Sequence, residues 1–284
     1  MRPDAIDRFR RFARAVTLEV GALDSSYLGR GRPLGAARVL TAIGRGHNDV
    51  SALREALKLD SALMSRLLRG LEDEGLVVTA PDPADARRRI ASLTASGRAE
   101  FGSYETLADA RANEILSRFA HPERLLAAMD LIATALGGVE IVETDPRSAA
   151  ARQALGEYYA ELARRFAGGF DVTRSRDPQA AEMIRPCGAF FLALAEGRPV
   201  GCVGLTGCEI KRLWVAPSAR GLGLARRLMA AAEQAARDLG VAALRLDTQS
   251  ALPEAAALYR NSGWREIPRF NDDPYPDQFF EKQL

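Results

Sequence analysis

Apolar residues recur at helical spacing through the first half of the chain, as in Phe9, Phe12, Ala13, Val16 and Val20 and again in Leu125, Leu126, Met129, Ile132 and Leu136. Beyond about Gly138 the pattern changes. Strand-like runs at 139–144, 189–196, 200–206, 210–216 and 243–248 alternate there with helical stretches. The change falls at Gly137-Gly138, where two glycines follow a periodic helix as a C-cap does and a β-branched run begins. The pattern therefore predicts an α+β protein of two domains, a mainly helical one over 1–138 and an α/β one over 139–284. A length of 284 residues agrees with two cores rather than one.

Within the first half, Asp49 is an N-cap for a helix through Leu53, Ala56 and Leu57, and Asp60 caps a second through Leu63, Leu67 and Leu71. Two helices joined by about three residues make a helix-turn-helix. Gly75 ends the second helix, and 77–79 can then pair with 90–93 around a loop that holds Pro81, Pro83 and the consecutive Arg87, Arg88 and Arg89. A hairpin with a cationic tip suits a narrow minor groove, while the helix after Asp60 would present Ser61, Ala62, Ser65 and Arg66 to a major groove. The segments SALMSRLLRGLEDEGLV and DPADARRRIASLTASG resemble the recognition helix and wing of the MarR family of winged-helix regulators, and the resemblance covers residues 5–136. It implies that Arg87 enters the minor groove with Asp85 holding it, beside Arg88. It also implies that helices within 5–27 and 98–136 form a homodimer interface, so that the partner is double-stranded DNA with two half-sites on a pseudo-palindrome.

In the second half a strand over 210–215 runs into Ala-Pro-Ser and then Arg220, Gly221, Leu222, Gly223, Leu224 and Ala225, after which Leu228, Met229, Ala232 and Ala235 continue a helix. Glycine-rich backbone entering a helix N-terminus presents unpaired N–H groups with the positive end of the helix dipole behind them, so a pyrophosphate fits. A dinucleotide fingerprint would need a third glycine, and Gly221, Gly223 and Arg226 do not supply it. The spacing instead matches Arg/Gln-x-x-Gly-x-Gly/Ala after a strand ending in Val-x-Pro. On these residues, and on LRLDTQSALPEAAALYRNSGWRE, residues 139–284 resemble the GNAT superfamily of acyl-CoA-dependent N-acyltransferases.

That resemblance implies a mixed sheet splayed between its fourth and fifth strands, with residues 149–167 as a first helical pair and acetyl-CoA as co-substrate in the split. Amides of Leu213, Trp214 and Val215 would meet the pantetheine and thioester, and those of 220–225 the pyrophosphate. It also implies that Tyr259 protonates the coenzyme A sulfur. Acetyl transfer requires a neutral amine, and a primary ammonium titrates near pH ~10, so a carboxylate is useful as base. Glu209 is the candidate, with the N–H of Val215 placed to stabilise an oxyanion. The alternatives are a structural Glu209 paired with Lys211 or Arg212, and a Tyr259 ring that only packs. Acceptor specificity is expected in YYAELARRFAGGFD and NDDPYPDQFF, where Arg164, Arg165 and Tyr159 would hold a carboxylate or phosphate or else line a solvated helix face. A small amine or amino acid is the expected acceptor.

A formal charge of only +2 refines the DNA reading: contact must come from a few placed arginines, since no general basic surface exists. The three cysteines, Cys187, Cys202 and Cys208, lack metal-ligand spacing and lie far from His47 and His121, so no metal and no disulfide scaffold is expected. The first residues lack the apolar run of a signal peptide and no stretch reaches a membrane span, so a cytoplasmic location is expected. Three functions compete: a bifunctional regulator and acetyltransferase, a regulator whose second domain only senses acetyl-CoA or another ligand, and a plain acetyltransferase that dimerises through its helical half.

Overall fold

The computed structural model describes residues 3–85, 87–175 and 178–284; Ala86, inside the wing motif, lies outside them. The chain forms two compact units, Met1–Ala120 and His121–Leu284.

The first unit contains α1 (Pro3–Glu19), α2 (Leu34–Gly44), α3 (Val50–Ala56), α4 (Ser61–Asp73), the strands β1 (Val77–Pro81) and β2 (Arg89–Leu93), and α5 (Ala95–Ser117). Both predicted caps form. Asp49 Oδ1 accepts from the N–H of Ala52 at 2.7 Å and Asp60 Oδ1 from that of Leu63 at 2.8 Å, so α3 and α4 start where a carboxylate satisfies their orphan amides. Val39, Leu40, Leu53, Leu71 and Tyr104 are buried together between α2, α3, α4 and α5. Each such side chain contributes roughly 1.5–3 kcal/mol relative to exposure. Strands β1 and β2 pair antiparallel from Val77↔Leu93 to Pro81↔Arg89, the predicted wing. The segment before α2 is tied to α5 by one buried carboxylate: Glu100 accepts from Arg30 Nε at 3.0 Å and Arg32 Nη1 at 2.7 Å. The Arg30 bond, against the cost of burial, holds the Glu100 carboxyl below its usual range.

The second unit opens with α6 (Pro122–Gly137), followed by β3 (Glu140–Glu143), α7 (Ala149–Arg165), β4 (Gly188–Ala195), β5 (Arg198–Thr206), β6 (Glu209–Val215), α8 (Leu224–Asp238), β7 (Ala243–Thr248), α9 (Pro253–Arg260), β8 (Arg265–Glu266) and β9 (Gln278–Gln283). One seven-stranded sheet runs in the order β3-β4-β5-β6-β7-β9-β8. Every neighbouring pair is antiparallel except β6 and β7. Side-chain alternation divides the core in two. Ala189, Phe191 and Ala193 of β4 pack with α8 and α9. Phe190 and Leu192 face the other way, packing with Cys202, Trp214 and Ala151 and Ala154 of α7.

Two particulars depart from the sequence reading. The boundary between compact units lies at Ala120/His121, so α6 packs with the second unit although its sequence pattern placed it in the first. The reason is local: α6 lies against the turn Pro217–Ala219, and Arg227 Nη2 donates to the carbonyl of Val139 just beyond it at 2.6 Å. In place of a helical pair over 149–167 there is one helix, α7, which leaves helical geometry at Phe166.

Candidate functional site

The sheet opens at its one parallel junction. Strand β6 pairs with β7 only at its first residue, Glu209↔Arg245, and the two strands then separate. A bulge drives this, because Val203 of β5 stands opposite both Arg212 and Leu213, with Arg212 at φ +56°. Beyond the bulge Ala216 donates its N–H to Val200 at 2.9 Å, so by alternation the amide of Trp214 faces β5 while those of Leu213 and Val215 face the split. The resulting cleft has a volume of about 440 Å³, within the ~300–1,000 Å³ of small-molecule sites.

At one end of the cleft Gly221 and Gly223 adopt φ +80° and +75°, a left-handed conformation that favours glycine, and no atom lies where a Cβ would be. Gly223 is the N-cap of α8 and no side chain caps that helix. Open amides at the positive end of a helix of 15 residues form the anion cradle that a pyrophosphate needs. Beside it, Glu161 of α7 is buried and accepts three donors: Arg220 Nη2 at 2.6 Å, Trp214 Nε1 at 3.0 Å and Arg165 Nη1 at 3.4 Å. Burial pushes this carboxyl up, but the bonds and charge of Arg220, with Trp214 and Arg165, outweigh it and hold the group below its usual range. Arg220 Nε also donates to the carbonyl of Val215 at 3.0 Å, closing the turn between β6 and α8. Its guanidinium therefore shapes the cradle from the side, and the backbone is what faces an anion.

A second cavity, of about 100 Å³, shares Tyr158, Leu162, Leu213, Leu252 and Ala255 with the cleft. Tyr259 of α9 lines it, buried between Trp264 and Phe280 with ring centroids at 6.1 and 5.6 Å. Burial, then the charge of Asp247, raises the Tyr259 phenol well above its ordinary value, so it stays a proton donor at neutral pH. Asp247 of β7 lines the same cavity, accepting from Lys211 Nζ at 2.8 Å and Asn271 Nδ2 at 2.6 Å. Lys211 Nζ in turn lies 3.3 Å from Glu209.

On the first unit, Ser61, Ser65 and Arg66 of α4 are exposed, whereas Met64 and Leu68 are buried. At the wing tip Arg87 is exposed, and Asp85 Oδ1 accepts from its backbone N–H at 3.1 Å. Arg88 is engaged elsewhere: its Nε donates to Asp49 Oδ2 at 2.8 Å, pinning the wing to the start of α3.

Residues 155–264 match the model of the acetyltransferase (GNAT) family, and residues 30–88 that of the MarR family. An uncharacterized N-acetyltransferase of Escherichia coli K12, YjgM, is 31% identical over 125 residues, which span 38% of this chain and 75% of that protein. An enzyme of Azospirillum brasilense named IAA acetyltransferase is 36% identical over 112 residues, 36% of this chain and 72% of that protein. The crystal structure of a MarR-family transcriptional regulator from Rhodococcus sp. RHA1 aligns with 46% of this chain and 93% of its own, at 19% identity and a TM-score of 0.40. The chain belongs to the GNAT acetyltransferase family. Its first unit is a winged helix whose residues 30–88 match the MarR family.

In GNAT terms, the sequence-predicted residues meet at one place with some exchanges of role. Leu213, Trp214, Val215, Arg220, Gly221, Gly223, Leu224 and Ala225 line the cleft. Leu222 instead turns inward and packs against the core, anchoring the cradle. Tyr259 lines the smaller cavity, whereas Glu209 does not and stands behind Lys211; the carboxylates at that cavity are Asp247 and Asp273. Arg165 is bound to Glu254 and to the carbonyl of Ala251 at 2.7 Å. Sequence reasoning missed Glu161, Asp247 and Asp273. Glu161 and Asp273 do lie in the two segments expected to set acceptor specificity, and Glu161 left a further local signal in its i,i+4 spacing to Arg165 on α7.

Proposed function

We propose that this protein is a dimeric DNA-binding regulator that also transfers the acetyl group of acetyl-CoA to a small amine. The observation that carries the acyl half of this reading is the open Gly221–Gly223 cradle at the split of β6 and β7, beside Tyr259 and Asp247. These residues fit acetyl-CoA. The uncapped amides of α8 would hold its pyrophosphate, and the amides of Leu213 and Val215 its pantetheine arm and thioester. The co-substrate supplies an activated acetyl group. In the transfer a C–N bond forms to the neutral amine and the C–S bond breaks. Asp247, directly or through water, takes the amine's proton in the role first read for Glu209, which here braces Lys211. Tyr259 donates its proton to the departing sulfur.

For DNA, Ser61, Ser65 and Arg66 on α4 serve base and phosphate contact in the major groove and Arg87 reaches the minor groove, with Arg88 holding the wing in position. Ile6, Phe9, Phe12 and Val16 of α1 form a stripe at helical spacing that is 37–60% exposed, an apolar face of the kind a second copy covers. A cytoplasmic setting suits both activities. Two measurements test the reading: acetyl-CoA-dependent formation of N-acetyl product across a panel of amines, and a footprint on the DNA upstream of the protein's own gene that weakens steeply with salt. Acetyl-CoA binding without turnover of any amine would leave a sensor, and DNA binding indifferent to salt would leave a dimerising helical domain.

A further inference from the structure

Backbone pairing between β6 and β7 ends at Glu209↔Arg245, so the sheet ladder does not set how far apart the two strands stand beyond it. Past that point they become the two lips of the cleft, lined by residues within 213–226 on the β6 side and within 252–258 on the β7 side. One helix is bonded to both lips. The first turns of α7 are anchored on the sheet, where Ala151, Ala154 and Leu155 belong to one buried cluster with Phe190, Leu192 and Cys202. At its C-terminal end Glu161 and Arg165 stand one turn apart.

On the β6 side, Glu161 accepts from Trp214 Nε1 at 3.0 Å and from Arg220 Nη2 at 2.6 Å, and Arg220 Nε reaches the carbonyl of Val215 at 3.0 Å. On the β7 side, Arg165 Nη2 donates to the carbonyl of Ala251 at 2.7 Å and to Glu254 Oε2 at 3.0 Å, while its Nη1 pairs with the other oxygen of that carboxylate. Arg165 Nη1 also donates to Glu161 Oε1 at 3.4 Å. A line of charge-assisted bonds therefore runs from Arg220 through Glu161 and Arg165 to Glu254, and the Arg165 fork makes its last link bidentate. Glu254 lies in the first turn of α9, so the same bonds fix the helix that carries Tyr259. Glu161 and Glu254 line the cleft, whereas Arg165 is not among the residues that face it.

We infer that Glu161 and Arg165 are positioning residues through which α7 acts as a strap, fixing the spacing of the two lips and with it the fit of acetyl-CoA along the split. The pantetheine arm lies between the lips and is met from both. The pyrophosphate is met by the amides at the start of α8 alone. Spacing therefore matters to the arm and leaves the pyrophosphate untouched.

This inference rests on the acyl-CoA reading of the cleft, and the experiment separates the two. Calorimetry with the full-length protein measures binding of acetyl-CoA and of ADP, which carries a pyrophosphate and no pantetheine arm. Arg165→Met keeps an apolar stem and removes every bond from α7 to the β7 side. It should raise the acetyl-CoA Kd about tenfold and the ADP Kd by less than about twofold, within the range of residues that act without touching a ligand. Arg165→Lys, a milder change that keeps the charge and loses the fork, should raise the acetyl-CoA Kd about threefold. The double variant Arg165→Met with Glu254→Gln restores the charge balance and not the strap, so its acetyl-CoA Kd should stay about tenfold above wild type. Unchanged acetyl-CoA affinity in the Arg165 variants overturns the inference. An equal loss for ADP, or recovery in the double variant, does the same, because Arg165 would then act as a charge alone. Wild-type protein that does not bind acetyl-CoA overturns the acyl-CoA reading and this inference with it.

Discussion

The two units present their chemistry in opposite ways. The winged-helix surface consists of side chains on a convex exterior: exposed Ser61, Ser65 and Arg66 on α4 and Arg87 at the wing tip, with the backbone satisfied by its own caps and strand pairs. The acyl cleft is the reverse, a place where backbone is deliberately left unpaired by a bulge at Arg212 and two glycines of positive φ, and where side chains such as Glu161 serve to hold that backbone open. A surface of the first kind loses function gradually as charges are removed. One of the second kind depends on local geometry and fails abruptly.

The largest test of this contrast is Tyr259→Phe, which keeps the packed ring and removes the proton donor. It should lower kcat by ~10²-fold or more with acetyl-CoA affinity retained, in the range of general acid catalysis. Because burial and Asp247 raise the phenol's pKa, it remains protonated through neutral pH, and the wild-type decline in kcat on the alkaline side should fall above pH ~10. An unchanged kcat would return Tyr259 to a packing role. Next is Gly223→Val, which forces a β-branched residue to φ +75° at the start of α8. At ~1–3 kcal/mol of backbone strain plus a distorted cradle, acetyl-CoA affinity should fall on the order of 10²-fold in calorimetry. Its affinity for DNA should not change; parallel losses at both sites would mean that the two units do not act as separate devices.

The surface side predicts smaller numbers. Arg87→Ala should weaken DNA binding by about tenfold and make the slope of log K against log salt shallower by about one, with acetyl transfer untouched. A variant that binds DNA with the wild-type slope would remove Arg87 from the interface. The smallest effect concerns the sheet core. Burial pushes the Cys202 thiol up to about 12, while Cys187 and Cys208 are exposed. A thiol reagent at pH 8 should therefore titrate two groups in the native protein and a third only after denaturation. Three fast thiols would show that the face of the sheet against α7 opens readily.

Much of this architecture was legible in the residues because it is governed by short-range rules. Asp49 and Asp60 cap helices wherever a carboxylate precedes an apolar period, Gly75 ends α4, and a strand running into Arg-Gly-Leu-Gly-Leu-Ala marks the cradle before any tertiary contact is known. The segments expected to set acceptor specificity do line the smaller cavity, because Tyr159 and Phe170 lie in one and Tyr275 in the other. What the sequence did not show is how the charges pair. Arg88, read as a DNA contact, pairs with Asp49 across 39 positions of sequence, and Arg165, read as an anion ligand or a solvated helix residue, is bound to Glu254 across 89. A charged residue carries no local mark of its partner, since a salt bridge requires only that two side chains meet in space.

The sequence by itself thus determined the two fold classes, the order of their elements and the backbone motif for an acyl-CoA phosphate, all of them consequences of periodicity, capping and glycine placement within a few residues. Tertiary structure alone decided which carboxylates line the smaller cavity, that Glu161 holds Arg220 and Trp214 at the cleft, and that α6 packs with the second unit. Those facts depend on where distant segments are brought together by burial, and the energy that sets them is shared over a whole core rather than written in any one stretch of chain.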